Sequence, residues 1–134
     1  MNNSKLYLTI KEFTKNQNIL IDKFIILDIV RTIQEFNYNI QLVKKNGLNL
    51  KDIKNPCNLV CLEAVKQDGY VLEFVKEQTV EICLEAVKQN GYALEFVKEQ
   101  TFEICLKGVK QNGDALQFVK CHDIKNTIKL NYLK

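Results

Sequence analysis

Hydrophobic and polar residues follow one pattern along most of this chain, and it returns every 22 positions. Val43, Val65, Val87 and Val109 mark it, as do Leu50, Leu72, Leu94 and Leu116, and Gly47, Gly69, Gly91 and Gly113. The stretch LEAVKQDGYVLEFVKEQTVEIC (Leu62–Cys83) is followed at once by LEAVKQNGYALEFVKEQTFEIC (Leu84–Cys105), with 19 of 22 positions identical. A fixed period of this length is the signature of stacked repeats. Four units follow: 40–61, 62–83, 84–105 and 106–127. The outer two diverge, as end repeats do when one face meets solvent or a cap.

On a helical wheel Val80, Ile82, Cys83, Leu84, Ala86 and Val87 form one broad apolar arc, and Glu81, Glu85, Lys88 and Gln89 fill the polar remainder. So wide a face needs partners on two sides. Thr79 and Thr101 stand ahead of it as N-caps, with Glu81 and Glu103 in the first turn. The Asn-Gly or Asp-Gly pair then predicts a left-handed residue that stops the helix. A shorter helix starts at Tyr92, with Tyr92, Ala93, Leu94, Phe96 and Val97 on one side and Glu95, Lys98 and Glu99 on the other. In the last unit the run DALQ from Asp114 resembles a capping box. The expected fold class is all-α: a short right- or left-handed α-solenoid of tandem helix-turn-helix repeats, with helical N- and C-terminal caps. A leucine-rich repeat has a similar length and an asparagine ladder that Asn46, Asn90 and Asn112 would imitate. That pattern requires leucines ahead of the Asn where this chain has Glu85, Lys88 and Gln89.

Residues 1–39 fit the period less well. Leu6, Leu8 and Ile10 alternate like a strand, whereas Leu6, Ile10 and Phe13 fit a helix, and helix is the expectation in helical company. Asp22 to Phe36 reads as a longer helix, and LDIVRTIQEFNYNIQLV (Leu27–Val43) tracks the repeat with one inserted residue. The organisation expected is one domain over 1–134, with 1–39 as the N-terminal cap and 128–134 as the C-terminal cap. The length suits one domain with a continuous core.

Charge changes the picture in one respect. The net charge is +3, but residues 62–105 carry four Lys against nine acidic groups, and both flanks are basic. Of 19 basic residues, only Arg31 is not Lys, and the chain holds 14 Asn and 13 Ile. These residues have A/T-rich codons, so the Lys excess speaks more of the genome than of phosphate contact, for which sequence-specific readers favour Arg. The N-terminus lacks a signal-peptide pattern, and Ile19–Val30 is too short and too charged to span a bilayer. The expected setting is therefore intracellular.

Little catalytic chemistry is legible. Cys61, Cys83 and Cys105 recur at the repeat period inside the apolar arc, which reads as small core residues. Stacked helices lie roughly 8–10 Å apart, beyond the reach of a disulfide. Cys57 and Cys61 are spaced four apart on a helix begun by Asn55-Pro56, but two thiols without a nearby His make a poor zinc site. Cys121-His122-Asp123 is sequential, and a catalytic triad is a spatial arrangement. No phosphate-binding glycine loop is present. No metal, cofactor or enzymatic activity is expected.

The string A-V-K-Q-N-G-x-A-L-x-F-V resembles the short helical repeats of a domain-of-unknown-function family, over Ile40 to about Lys120. These repeats are abundant in giant DNA viruses and also occur in protists and bacteria. The resemblance implies tandem two-helix units, supplies no catalytic residues, and agrees with an A/T-rich viral source acting in host cytoplasm or a virus factory. The function expected is a non-catalytic scaffold for an unidentified host or viral protein. The candidate surface is Tyr70, Glu73, Lys76, Glu77, Glu81, Glu85, Lys88, Tyr92, Glu95, Lys98, Glu99 and Glu103. Tyr70 and Tyr92 would either anchor a partner or pack between turns. A second reading has nucleic acid bound by Lys120, Lys125, Lys129 and Lys134, with Lys44, Lys45, Lys51 and Lys54; the acidic middle and the scarcity of Arg argue against it. Two nearly identical adjacent units also suggest a homo-oligomer, as a repeat-exchanged dimer. No membrane partner is expected.

Overall fold

The repeat pattern builds a regular alternation of α-helices and short 3-10 helices in the computed structural model, which describes residues 2–132. The elements are α1 (Asn3–Asn16), α2 (Lys23–Lys45), η1 (Gly47–Asp52), α3 (Asn58–Gln67), η2 (Gly69–Phe74), α4 (Val80–Gln89), η3 (Gly91–Phe96), α5 (Phe102–Gln111), η4 (Gly113–Phe118) and α6 (His122–Tyr132). No strand occurs among the described residues. The protein is an all-α helical-repeat solenoid in which α3, α4 and α5 pack in succession and each of these three also meets the 3-10 helix before it. The chain divides into two compact units between Tyr38 and Asn39. The cap ending at residue 39 lies close to that division, which falls within α2. The expected boundary at 127/128 falls inside α6. Leu133 and Lys134, the end of the expected C-terminal cap, lie outside the described residues.

Local chemistry explains each repeat. Thr79 and Thr101 cap α4 and α5, accepting from the Ile82 and Ile104 N–H groups at 3.3 Å, as their position before the apolar run predicts. The helix stop works differently from expectation. No glycine among the described residues has a positive φ. Asn90, at φ −147° and ψ 115°, is extended and serves two helices. Its backbone N–H closes α4 on the Ala86 carbonyl, and its side chain accepts from the Tyr92 N–H at 3.0 Å to open η3. Asn46, Asp68 and Asn112 cap the equivalent 3-10 helices in the same way. The expected capping box at Asp114 is therefore replaced by an Asn112 cap, and Gln117 Nε2 donates to the Asp114 carbonyl instead.

The core of the second unit is periodic. Val65, Val71, Leu72, Ala86, Val87, Ala93, Leu94 and Val97 are fully buried. The apolar arc is narrower than the wheel indicates, because Val80 is 54% exposed and Leu84 is only half-buried. Stacking covers the sides that face neighbouring repeats and leaves the outer side of the first turn in solvent. The expected Asp22–Phe36 helix is longer, Lys23–Lys45. The Leu27–Val43 stretch has no Asn-Gly or Asp-Gly pair to end a helix, so it is not broken into a repeat. In the first unit α1 is a helix, as expected, capped by Asn2, and Asn3 and Gln34 are hydrogen-bonded between α1 and α2.

Candidate partner surface of the repeat array

The twelve nominated residues divide evenly among three kinds of element. Glu81, Glu85, Lys88 and Glu103 lie on α4 and α5; Tyr70, Glu73, Tyr92 and Glu95 on η2 and η3; and Lys76, Glu77, Lys98 and Glu99 on the links that follow. All are exposed except Glu85 and Tyr92, which are half-buried.

The α-helical group shares one outward face. Lys88 pairs with Glu85 at 3.1 Å, as Lys66 pairs with Glu63 at 2.8 Å one repeat earlier, the neighbouring position on a helix surface. The hydrogen bond from Lys66 holds the Glu63 carboxyl below its usual range, and the same contact raises Lys66, helped by Glu85 and Glu81 on the next helix. Neighbouring rungs thus feel each other's charge. Between α4 and α5 a groove of about 380 Å³ is lined by Leu84, Glu85, Lys88, Glu103, Leu106, Lys107 and Lys110. Its α4 wall follows the acidic pattern of the repeat, whereas Lys107 stands where Glu63 and Glu85 stand in the earlier units. The groove therefore offers apolar contacts between charges of both signs.

The other groups are largely engaged within the array. Tyr70 meets Phe96 edge-on with ring centroids 5.9 Å apart, and Tyr92 meets Phe118 at 5.8 Å. Tyr92 Oη also donates to Asp114 Oδ2 at 3.3 Å. The packing between turns expected as one of two roles for these tyrosines is present. The Lys98 ammonium donates to the carbonyls of Val75 and Lys76 in the preceding repeat. Lys120, nominated for nucleic acid, donates to the Val97 carbonyl at 2.7 Å. Lys125 reaches the Gln117 carbonyl at 3.5 Å, and Lys44 lies 3.9 Å from Glu63. Lys45, Lys51, Lys54 and Lys129 are exposed, and Lys134 lies outside the described residues.

Two glutamine ladders escape the sequence reading. Gln78 Nε2 donates to the Leu72 and Phe96 carbonyls, while its Oε1 accepts from the Lys98 N–H at 3.0 Å and the Cys83 thiol at 3.7 Å. Gln100 repeats this with Leu94, Phe118, Lys120 and Cys105. In the second ladder Gln89 and Gln111 accept from the Gly69 and Gly91 N–H groups, each at 2.6 Å. The only hint in the sequence is their recurrence at the repeat period.

All five cysteines are free; Cys61, Cys83 and Cys105 are buried, and Cys57 and Cys121 exposed. Burial raises the three buried thiols, Cys105 to about 11. Helix α3 starts at Asn58, so Cys57 occupies its N-cap instead of a helical position after Pro56.

The sequence model of a family described as a domain of unknown function (DUF4116) matches twice, at residues 59–102 and 79–125. Together the matches span 59–125, half of the 134-residue chain. The chain belongs to this family. The two family matches overlap across α4 and η3, so they follow the repeats and place no boundary between them. Comparisons with curated proteins and with solved structures found no match. Among the described residues no helix is long and apolar enough to cross a membrane.

Proposed function

We propose that this DUF4116 chain is a non-catalytic scaffold that binds a protein partner across the outward face of its repeat helices. The supporting observation is the charged ladder of Glu81, Glu85, Lys88 and Glu103 beside the Leu84–Leu106 groove. These side chains are not consumed by contacts between repeats, unlike Lys98, Tyr70 and Tyr92. A partner segment with an apolar centre and charges of both signs complements such a groove, and charge matching of this kind sets specificity and encounter rate more than raw affinity. The repeat family and the A/T-rich codon composition support a giant-virus source, with the protein acting in host cytoplasm or a virus factory.

The test is capture of partners by the tagged protein from infected-cell lysate, with and without nuclease, alongside a variant carrying E81K, E85K and E103K. The reading expects a partner that survives nuclease, is lost in the variant, and localises with the tagged protein inside infected cells. Capture that disappears with nuclease, or that is indifferent to the three reversals, overturns it.

A further inference from the structure

Each interior junction of the array uses the same close approach. A Cβ built on Gly47, Gly69 or Gly91 would lie 2.7, 2.5 or 2.5 Å from the carbonyl oxygen of Ala64, Ala86 or Gly108 on the next repeat's helix. All three glycines are buried, and Leu50, Leu72 and Leu94 beside them are at most 2% exposed. Gly113 holds the fourth equivalent position under different circumstances. It is exposed, nothing among the described residues lies within 4 Å of its Cβ position, and its φ is not in the left-handed region. Neither backbone conformation nor packing among the described residues calls for glycine there. Leu116 is correspondingly only half-buried. The terminal helix α6 packs on α5 and leaves Gly113 uncovered.

We propose that the open side of η4 is a docking edge for the helix end of another repeat of this class, supplied by a different polypeptide. The three interior junctions define what fits. The covering helix carries a small residue followed three positions later by glutamine: Ala64 and Gln67, Ala86 and Gln89, Gly108 and Gln111. The small residue is needed because position 108 faces the Gly91 carbonyl oxygen, Val87 and Leu94 at 3.4–3.7 Å. The periods that flank the array lack the marks. One period before Ala64 and Gln67 stand Leu42 and Lys45, and one period after Gly108 stands Leu130. The partner is a repeat protein presenting an A-V-K-Q-N-G type helix. The edge is separate from the charged helix face, and neither proposal depends on the other.

The probe is a fluorescent peptide of residues 79–96, helix-stapled through the polar positions 81 and 85, because so short a helix is marginal alone. It is titrated against the full chain and against Gly113→Ala by fluorescence anisotropy. The expected result is saturable binding to the natural chain, weakened about tenfold or more by Gly113→Ala, with the melting temperature of the variant unchanged. A peptide carrying Ala86→Leu is expected to bind neither chain. Absence of saturable binding to the natural chain, equal binding to Gly113→Ala, or equal binding of the Ala86→Leu peptide overturns the proposal.

Discussion

A methyl group on Gly91 would sit 2.5 Å from the Gly108 carbonyl oxygen and 2.8 Å from Gln111 Oε1, so Gly91→Ala forces two stacked repeats apart. Overpacking of this kind costs about 1–3 kcal/mol, and urea denaturation should show that loss. Gln100 is a second residue whose weight comes from its neighbours. Its side chain joins two carbonyls, one backbone N–H and one thiol. Removing one partner of a buried hydrogen bond costs about 1–3 kcal/mol. Gln100 is half-buried, so Gln100→Ala should destabilise the fold by about 1–3 kcal/mol in the same measurement, whereas Gln117→Ala, on the exposed side of η4, should change little. Neither residue announces this locally. Gln100 reads as a surface polar residue ahead of the Thr101 cap, and its acceptors lie 6 and 18 positions away.

At the scale of the element, a repeat is an α-helix and a 3-10 helix sharing one Asn or Asp as the cap of both. The thiols behave according to their place in that element. Cys57 and Cys121 should react with a thiol reagent in the native protein, and Cys61, Cys83 and Cys105 only after unfolding; rapid native labelling of Cys83 would contradict the buried ladder. Burial raises these thiols above the ordinary 9.0, Cys105 to about 11. The unfolded chain then loses those protons first. The stability that depends on neutral thiols is complete below pH 9.0 and is lost as pH rises from 9.0 toward about 11. Denaturation midpoints measured across that range should fall, and by less in Cys105→Ala relative to its own value at neutral pH. The Thr caps and the helix spans could be read from local pattern. Val80 could not, because its wheel position is apolar while its place at the outer first turn is solvent.

For the whole molecule, the near identity of the 62–83 and 84–105 units makes exchange of repeats between chains a low-cost route to a dimer. Sedimentation should reveal dimer as concentration rises; monomer at every concentration would exclude exchange. The sequence by itself determined the 22-residue period, the helices, the threonine caps and the buried valine and leucine rows. Those features rest on interactions within one turn or on periodic burial, which a one-dimensional pattern records. Tertiary structure alone decided why the glycines are required, what the glutamines and Lys98 bond to, and that Tyr70 and Tyr92 pack between repeats. In each case at least one partner sits on the neighbouring unit, about one period away along the chain. A residue's own neighbourhood in sequence cannot reveal such a contact until stacking brings the units together.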